Sequence, residues 1–286
     1  MLGLGRQQRA EDAIEGDRLF RVEQGYSALA HYLHRCFVEA GGLFRARSPV
    51  REIRWSEGQV EVAGEGGTQH AKCAVVAVPL AVLQSGGLSV LPLHDVHREA
   101  LNGLAMGAVE RTVLVFRECF WRSTPEAVDL SFLFSREPAS PVYWTPHPRS
   151  AAMMTTWIGG PRALSVSPAQ AGVPAQAGVP AQAGVDDTLT RNLGRLARYF
   201  SRPIAEVRDQ LVQWHRHDWQ ADPCARGAYS YPRVGGNSAS DALAQPMGET
   251  IFFAGEHTDT TGHWGTVHGA LRSGVRAGEQ ALAAAS

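Results

Sequence analysis

The chain has 286 residues, enough for one large domain or for two smaller ones with their own hydrophobic cores. Hydrophobic residues make up 44% and charged residues 19%, and the formal net charge of −1 gives no reason to expect nucleic acid or an acidic membrane surface as a partner. No apolar run approaches the roughly 18 residues of a membrane span, and the 4 cysteines are scattered without C-x-x-C spacing.

The N-terminal third predicts a series of short elements. Residues 1–15 are polar and lack the apolar run of a secretory leader, so we expect a disordered terminus and a cytoplasmic protein. A helix is predicted to open at Gly25, with Leu33 and Phe37 on its apolar face, and Glu57-Gly58 is typical of a hairpin turn. Strands are predicted at Leu19–Val22, Leu43–Ala46, Val50–Trp55, Gln59–Val62 and Lys72–Val78, the last of them a buried strand.

The middle of the chain predicts both helices and strands, interrupted by a repeat. The hexamer Pro-Ala-Gln-Ala-Gly-Val occurs three times over residues 168–185, and so short a unit without a strand pattern indicates a flexible insertion. The predicted elements are a helix at His94–Leu104, strands at Ala108–Phe116 and Met153–Ile158, and a helical stretch at Thr188–Trp214 that is broken at Pro203.

The last stretch of the chain is the most informative. Ile251–Ala254 is a short apolar run that stops at Gly255, as a buried strand does. After a loop rich in Gly and Thr, Thr266 can cap a helix whose apolar residues recur at helical spacing as far as Leu282. Strand, loop and capped helix together present free backbone N–H groups, which favours an anionic or electron-accepting ligand above the loop. The pattern alone does not say which ligand, and many such turns bind none.

At these residues the sequence resembles a known family. The runs Phe253–Thr258 (FAGEHT), Gly265–Ala270 (GTVHGA) and Ser273-Gly274 are similar to the C-terminal flavin signature of the flavin-dependent amine oxidases. That family includes polyamine oxidases, monoamine oxidases and flavin-type histone-lysine demethylases. The resemblance implies FAD as cofactor. It places Glu256 by the ribityl and phosphate part of FAD, the amides of Thr266 and Val267 at the flavin N1–C2=O edge, and the backbone of Val50 at the adenine. Gly255 is also among the implied cofactor-binding residues.

A second run carries the same resemblance. Residues 219–231 (WQADPCARGAYSY) are similar to the family's W-x-x-D-P-x-x-x-G-[AS]-Y-S-Y segment. The resemblance implies that Trp219 flanks the flavin and that Tyr229 forms one wall of an aromatic cage, to which a cationic amine is attracted by cation–π interaction. It also implies a second cage wall at Trp264. Trp and Tyr as ordinary core residues are the alternative.

Arg111 departs from the family pattern, which usually has Lys at this place on the strand. That Lys holds a water against flavin N5, whereas an Arg keeps the charge but does not release its proton as a buried Lys can. We therefore expect a slower or altered oxidative half-reaction, or an acceptor other than oxygen. The alternative is a strand-edge Arg paired with Glu110 or a neighbouring carboxylate.

No metal site is predicted. His94 and His97 have ligand-like spacing, as do His215 and His217, but no Cys or carboxylate cluster in the sequence completes either pair.

The predicted fold is α/β, a partial two-domain flavin amine oxidase fold with an incomplete FAD-binding domain and a mixed-sheet substrate domain. The predicted boundaries are 16–85 and 215–286 for the FAD-binding domain and 86–214 for the substrate domain. The GxGxxG unit of the family is missing from the sequence, so a partner chain or a further N-terminal segment would supply the dinucleotide-binding βαβ unit.

The resemblance implies oxidation of a small-molecule amine by hydride transfer from its alpha-carbon to flavin N5, followed by hydrolysis of the imine. One alternative is a truncated, catalytically impaired remnant or a binding subunit that needs a separate nucleotide-binding piece. Another keeps the flavin but oxidises C–C bonds, as desaturases of similar fold do, and Tyr229 in its cage context argues against it.

Overall fold

The computed structural model describes residues 2–14, 22–137, 140–164 and 187–285. The chain divides into two compact units. Unit 1 comprises Met1–Ala105 and Tyr229–Ser286, and unit 2 comprises Met106–Ala228. The divisions fall after Ala105 and after Ala228, which is 20 and 14 residues later than the domain boundaries predicted from the sequence at 85 and 214. The repeats at 168–185 lie outside the described residues. So does the strand predicted at Leu19–Val22, except for its last residue.

Unit 1 contains a four-stranded sheet in the order β3-β2-β1-β5. Strand β1 pairs antiparallel with β2 and parallel with β5, and β2 pairs antiparallel with β3. Ser56 lies opposite Gln59, so the hairpin predicted at Glu57-Gly58 is confirmed as a two-residue turn, with Gly58 at a φ of 69°. The strand bounds are β1 Val50–Ser56, β2 Gln59–Gly64, β3 Gly67–Ala71 and β5 Ser89–Leu91.

A second, parallel pair of strands in unit 1 leads to the candidate site. Strand β4 (Ala74–Val76) pairs with β13 (Ile251–Phe253), and all three residues of β13 are buried. Helix α9 (Val267–Ala285) packs on this pair through Ala277, which lies against Phe252 and Ala254. On β4 only Val76 is buried and Val75 is 42% exposed, so the expectation of a buried strand over Lys72–Val78 is correct for one face alone.

The shorter helices of unit 1 connect these strands. Helix α4 agrees with the prediction at His94–Leu104, and His94 is its N-cap residue. Strand β6 pairs with β12 in a two-stranded sheet. The bounds are α3 Leu80–Gln84, α4 Asp95–Gly103, β6 Leu104–Met106, β12 Ser230–Pro232 and α8 Ala239–Leu243.

Two helices near the N-terminus differ from the expectations. Helix α1 (Leu2–Asp12) forms in the stretch for which the sequence predicts disorder, because it packs against a loop of the C-terminal segment that no local pattern reveals. Helix α2 (Tyr26–Glu39) forms as predicted, but it has no buried residue, and Leu33 and Phe37 are 44% and 52% exposed. The strand predicted at Leu43–Ala46 is wrong: these residues form no strand, and Leu43 is 83% exposed.

Unit 2 is built on a five-stranded sheet in the order β11-β7-β10-β9-β8. Its described pairs are antiparallel, so the expectation of a mixed sheet is wrong for this unit. One face of the sheet packs on helices α6 and α7, and Leu114, Tyr143 and Leu196 lie in the core between them. The bounds are β7 Val109–Phe116, β8 Phe132–Leu133, β9 Val142–Trp144, β10 Met153–Gly159, α5 Pro161–Leu164, α6 Asp187–Tyr199, α7 Ile204–Gln210 and β11 Leu211–Arg216.

None of the described helices combines the length and apolarity that crossing a bilayer requires.

Candidate functional site

The turn between β13 and α9 is shaped by a glycine that no other residue can replace without strain. Gly255 has a φ of 117°, and a Cβ there would lie 2.6 Å from the ring of His257. Its N–H donates to Oγ of Ser273 on α9 over 2.9 Å. The chain therefore leaves the strand in a conformation that brings Glu256 immediately beside the helix.

Glu256 connects three segments of unit 1 through its carboxylate. One oxygen accepts a hydrogen bond from the N–H of Ser230 (2.9 Å), and the other accepts from the Ser230 hydroxyl (2.7 Å) and from the N–H of Gly265 (2.8 Å). Hydrogen bonds to an ionised acceptor are stronger than neutral ones. Glu256 thus fixes strand β12 and the start of α9 relative to the turn.

The N-terminal end of α9 is capped as the sequence predicts. The Thr266 hydroxyl accepts from the N–H of Gly269 (3.0 Å) and donates to the carbonyl of His263 (2.6 Å). Gly269 is required here because a Cβ would overlap that carbonyl. The remaining N–H groups of the first turn, those of Val267 and His268, have no carbonyl of their own helix to bind, so the positive end of the dipole is directed out of this end of the helix.

Tyr229 lies beside this helix end. Gly265 has a φ of 71°, and a Cβ on it would be 3.3 Å from Cδ2 of Tyr229, so the absence of a side chain lets the ring approach the loop. Tyr229 is nonetheless 41% exposed. Part of the Tyr229 side chain is therefore accessible to solvent.

Trp264 does not share that position. It is 7% exposed, its Nε1–H donates to the carbonyl of Asp259 over 2.8 Å, and the guanidinium of Arg6 lies 5.5 Å from the ring centroid. Arg6 itself forms an ion pair with Asp241 at 2.7 Å. In this structure Trp264 holds the N-terminal helix to the loop, and its ring does not form the second exposed wall that the sequence predicts.

His257 follows Glu256 in the turn and is buried. It is 1% exposed, and its Nε2 has no hydrogen-bond partner among the described residues. Burial lowers the pKa of the imidazole to about 4, so the ring is neutral at physiological pH.

The predicted residues of unit 2 lie at one end of its sheet. The pairing of β7 with β11 ends where Thr112 lies opposite Arg216. Arg111 is the neighbour of Thr112 on β7, and His217 directly follows β11. The His217 ring lies 4.3 Å from that of Trp219, centroid to centroid, and its Nε2 is 2.8 Å from a carboxylate oxygen of Asp222. Trp219 is 41% exposed and is held from one side by this histidine.

The exposed face of β7 carries Arg111. Because side chains alternate along a strand, Arg111 and the buried Glu110 point to opposite faces of the sheet, which disfavours a pair between them. Among the described residues, no carboxylate forms an ion pair with Arg111.

Val50 begins β1 in unit 1 and pairs with Gly64. It is 37% exposed and lines a cavity of about 210 Å³ together with Arg45 and Ser48. A larger cavity of about 520 Å³ is lined by other residues of the same sheet, including Trp55, and contains none of the predicted site residues. Of the predicted site residues, Val50 therefore lines the smaller of these two cavities, and none lines the larger one.

Comparison with known proteins decides the family. The model of the flavin containing amine oxidoreductases matches residues 6–282. The chain belongs to this family.

The relatives are longer than the chain. Human lysine-specific histone demethylase 2 is 31% identical over 267 residues, which cover 88% of this chain and 29% of that protein. The probable polyamine oxidase 5 of Arabidopsis thaliana is 24% identical over 300 residues, covering 91% of this chain and 55% of that protein. A putrescine oxidase variant from a redesign of cofactor binding shares the fold, with a TM-score of 0.65, 21% identity, and coverage of 82% of this chain and 48% of that one.

The amine oxidoreductase family implies a flavin, and the residues of the turn fit one. A flat electron-accepting ring needs close backbone approach and hydrogen-bond donors where charge gathers. The first-turn N–H groups of α9 are such donors. Because Gly265 and Gly269 have no side chain, the Tyr229 ring and the His263 carbonyl lie close against this end of the helix.

The site also contains residues that the sequence reasoning missed. Ser230 lies inside the run that resembles the family segment, yet its partner Glu256 is 26 residues away in sequence. Ser273 lies in the Ser-Gly pair of the signature and binds the backbone of Gly255. Both serines lie in sequence runs that resemble the family, and this was the one signal in the sequence that could have found them. Only the folded chain shows which residues they contact.

Proposed function

We propose that this chain forms the amine-binding and flavin-edge part of an FAD-dependent amine oxidoreductase. The proposal rests on one observation: a half-exposed tyrosine, Tyr229, is packed against the loop at the N-terminal end of α9, and the carboxylate of Glu256 ties both in place. A flat acceptor beside that helix end and an amine over the tyrosine would lie next to each other.

FAD, when bound, would supply the two-electron acceptor for a hydride from the carbon next to nitrogen, leaving an imine that water hydrolyses. The residues that would hold it are Gly255 and Glu256 in the turn, the N–H groups of Thr266 and Val267, and in addition Val50 and Trp219. A helix N-terminus stabilises negative charge that develops near it, and these N–H groups are fixed before any ligand arrives.

Tyr229 would attract the amine and orient it. The electron-rich face of a tyrosine ring binds a cation with about 0.5–2 kcal/mol, depending on desolvation. The ring cannot take a proton from carbon, and loss of a hydride requires the neutral amine. Activity should therefore rise with pH through the pKa of the bound substrate. Arg111 would hold a water by hydrogen bonding, without the proton exchange that a Lys provides.

We further propose that a βαβ unit, from an additional N-terminal segment or a partner chain, completes the dinucleotide site. Helix α2 has no buried residue, and β4 exposes Val75 on a sheet of only two described strands. Parallel sheets are normally covered on both faces, so this apolar surface favours a further layer. The same observation supports the alternative function, a binding subunit that is inactive alone.

The purified chain with added FAD tests the proposal. The first measurement is FAD retention after gel filtration, read as visible flavin absorbance, and the second is anaerobic bleaching of that absorbance by primary and secondary polyamines. Tyr229→Leu should raise the amine concentration for half-maximal reduction about tenfold. Tyr231→Leu, at a neighbouring exposed tyrosine, should leave it unchanged. A chain that stays colourless with FAD, alone and with a separately expressed GxGxxG unit of a relative, would favour the binding subunit.

A further inference from the structure

Three side chains that could bind a metal meet beside the loop before α9, and the flavin site uses none of these side chains. Glu11 comes from α1, His263 from the loop before α9, and His268 from the first turn of α9. One ligand atom of each lies within 4.8 Å of the others. Glu11 lies more than 250 residues before the two histidines in the chain, so no sequence spacing could have revealed the cluster.

The two histidines present nitrogen atoms that have no other partner. Nε2 of His263 and Nε2 of His268 are buried, and neither has a hydrogen-bond partner among the described residues. The His263 side chain is 2% exposed, and the two rings lie 4.7 Å apart, nearly perpendicular. A buried polar atom without a partner costs about 1–3 kcal/mol, so two of them in residues that lie close to a carboxylate indicate a ligand between the three side chains.

The position of Glu11 does not depend on this cluster. A Cβ on Gly262, whose φ is 102°, would lie 3.1 Å from the carbonyl of Arg6 and 3.2 Å from Cβ of Ala10, so α1 packs directly on the loop. Arg6 adds its ion pair with Asp241 and a hydrogen bond to the carbonyl of Thr260. These contacts place Glu11 above the histidines whether or not an ion is present.

The surroundings of His263 decide how it can coordinate. Its Nδ1 is 2.8 Å from the hydroxyl of Thr261, which in turn donates to the buried carboxylate of Asp259 over 2.8 Å. An Nδ1–H donating to that hydroxyl leaves the Nε2 lone pair for a metal, and the carboxylate behind it is the usual outer-shell partner. Arg272 also lies 2.8 Å from Nδ1 and would compete. Its side chain is exposed and must turn away on coordination.

The carboxylate of Glu11, together with that of Asp259 behind His263, favours a divalent cation at this place.

We propose that Glu11, His263 and His268 bind a divalent transition metal, with Zn²⁺ the best match, and that the ion fastens α1 to the loop that leads into α9. Two imidazoles and one carboxylate form a common three-residue zinc set, with a water in the fourth position. Tetrahedral zinc needs ligand atoms about 3.4 Å apart at bonds of about 2.0–2.1 Å. Side-chain rotations of Glu11 and His268, which are both only half-buried, can close the remaining distance.

Titration of the full chain with Co²⁺ and Zn²⁺ after chelator stripping, without FAD, tests this. We expect one ion per chain, a visible ligand-field band with Co²⁺, and a Zn²⁺-dependent rise in Tm. Glu11→Gln and His268→Gln should each weaken Zn²⁺ at least tenfold in competition with a chromophoric chelator. Asp12→Asn, one residue along the same helix, and His70→Gln, an exposed histidine on β3, are the matched controls and should bind as the parent does.

The Zn²⁺ affinity of Arg272→Gln distinguishes metal binding by the cluster from a purely structural role of its residues. Removing the competing guanidinium should leave Zn²⁺ affinity equal or higher. The proposal is overturned if folded protein, checked by circular dichroism, binds no ion, or if Glu11→Gln and His268→Gln bind as tightly as Asp12→Asn. It is also overturned if Arg272→Gln loses binding, since the guanidinium would then be part of the cluster. None of these outcomes depends on flavin or amine.

Discussion

Lowering the pH from 7 to 5 is expected to destabilise the protein through one buried histidine. His257 lies in the 3₁₀ turn Glu256–Thr258, 1% exposed, with an unpartnered Nε2 and a pKa lowered by burial to about 4, against 6.5 for an exposed imidazole. Protonation must therefore place an unpaired charge in the interior or accompany unfolding.

The sign follows from proton counting. Between pH 4 and 6.5 the unfolded chain binds a proton at this residue and the folded chain does not, so acid favours unfolding. Above pH 6.5 the residue is neutral in both states and contributes no pH dependence. The penalty grows by about 1.36 kcal/mol for each pH unit below 6.5, to about 2 kcal/mol at pH 5 and about 3 kcal/mol near pH 4.

Urea unfolding of the parent chain and of His257→Leu at pH 7, 6 and 5 measures this contribution. Leu has a similar volume and no titrating group, so the difference between the two chains isolates His257 from the other titrating residues. The parent should lose about 2 kcal/mol more than the variant between pH 7 and 5. His70→Leu, at an exposed position on β3, should follow the parent. Parallel pH dependences for the parent and His257→Leu would refute the reasoning.

Three further substitutions test the turn and its supports. Gly265→Ala should lower the unfolding free energy by about 1–2 kcal/mol because the φ of this residue is 71°. It should also weaken amine binding because the added Cβ displaces Tyr229. Unchanged urea unfolding and unchanged amine binding would contradict this prediction. Arg276→Met should cost about 2–3 kcal/mol in urea unfolding because the guanidinium donates to partly buried carbonyls of three segments, whereas Arg51→Met on the surface should stay within about 0.5 kcal/mol. Glu256→Gln should cost about 1.5–3 kcal/mol and weaken FAD binding, since an amide nitrogen faces donors in place of a carboxylate oxygen; a variant as stable as the parent would show that the three bonds contribute little.

The end of the chain was predictable because its signals are local. A short apolar run, a glycine at its end and a threonine at a helix start correspond to β13, Gly255 and α9 in the structure. Each feature depends on residues no more than a few positions apart, so composition and spacing were sufficient. The hairpin at Glu57-Gly58 is predictable for the same reason.

Burial was less predictable because it depends on what covers an element. The periodicity of α2 correctly predicts a helix with an apolar face, but the face is exposed in the structure. The apolar pattern shows only that a surface suits burial, and whether another layer lies on it is a question of tertiary structure.

The sequence by itself determined the family, the strand–loop–helix at the candidate site, and the two aromatic positions within matched motifs. Only the tertiary structure decided that Glu256 binds Ser230, that Trp264 lies under the N-terminal helix, and that Glu11 meets His263 and His268. The physical reason is range. Capping, turn and strand signals act between neighbours in sequence, whereas these side chains meet through hydrogen bonds and packing across 26 to more than 250 residues, and nothing in the local pattern of either partner specifies the other.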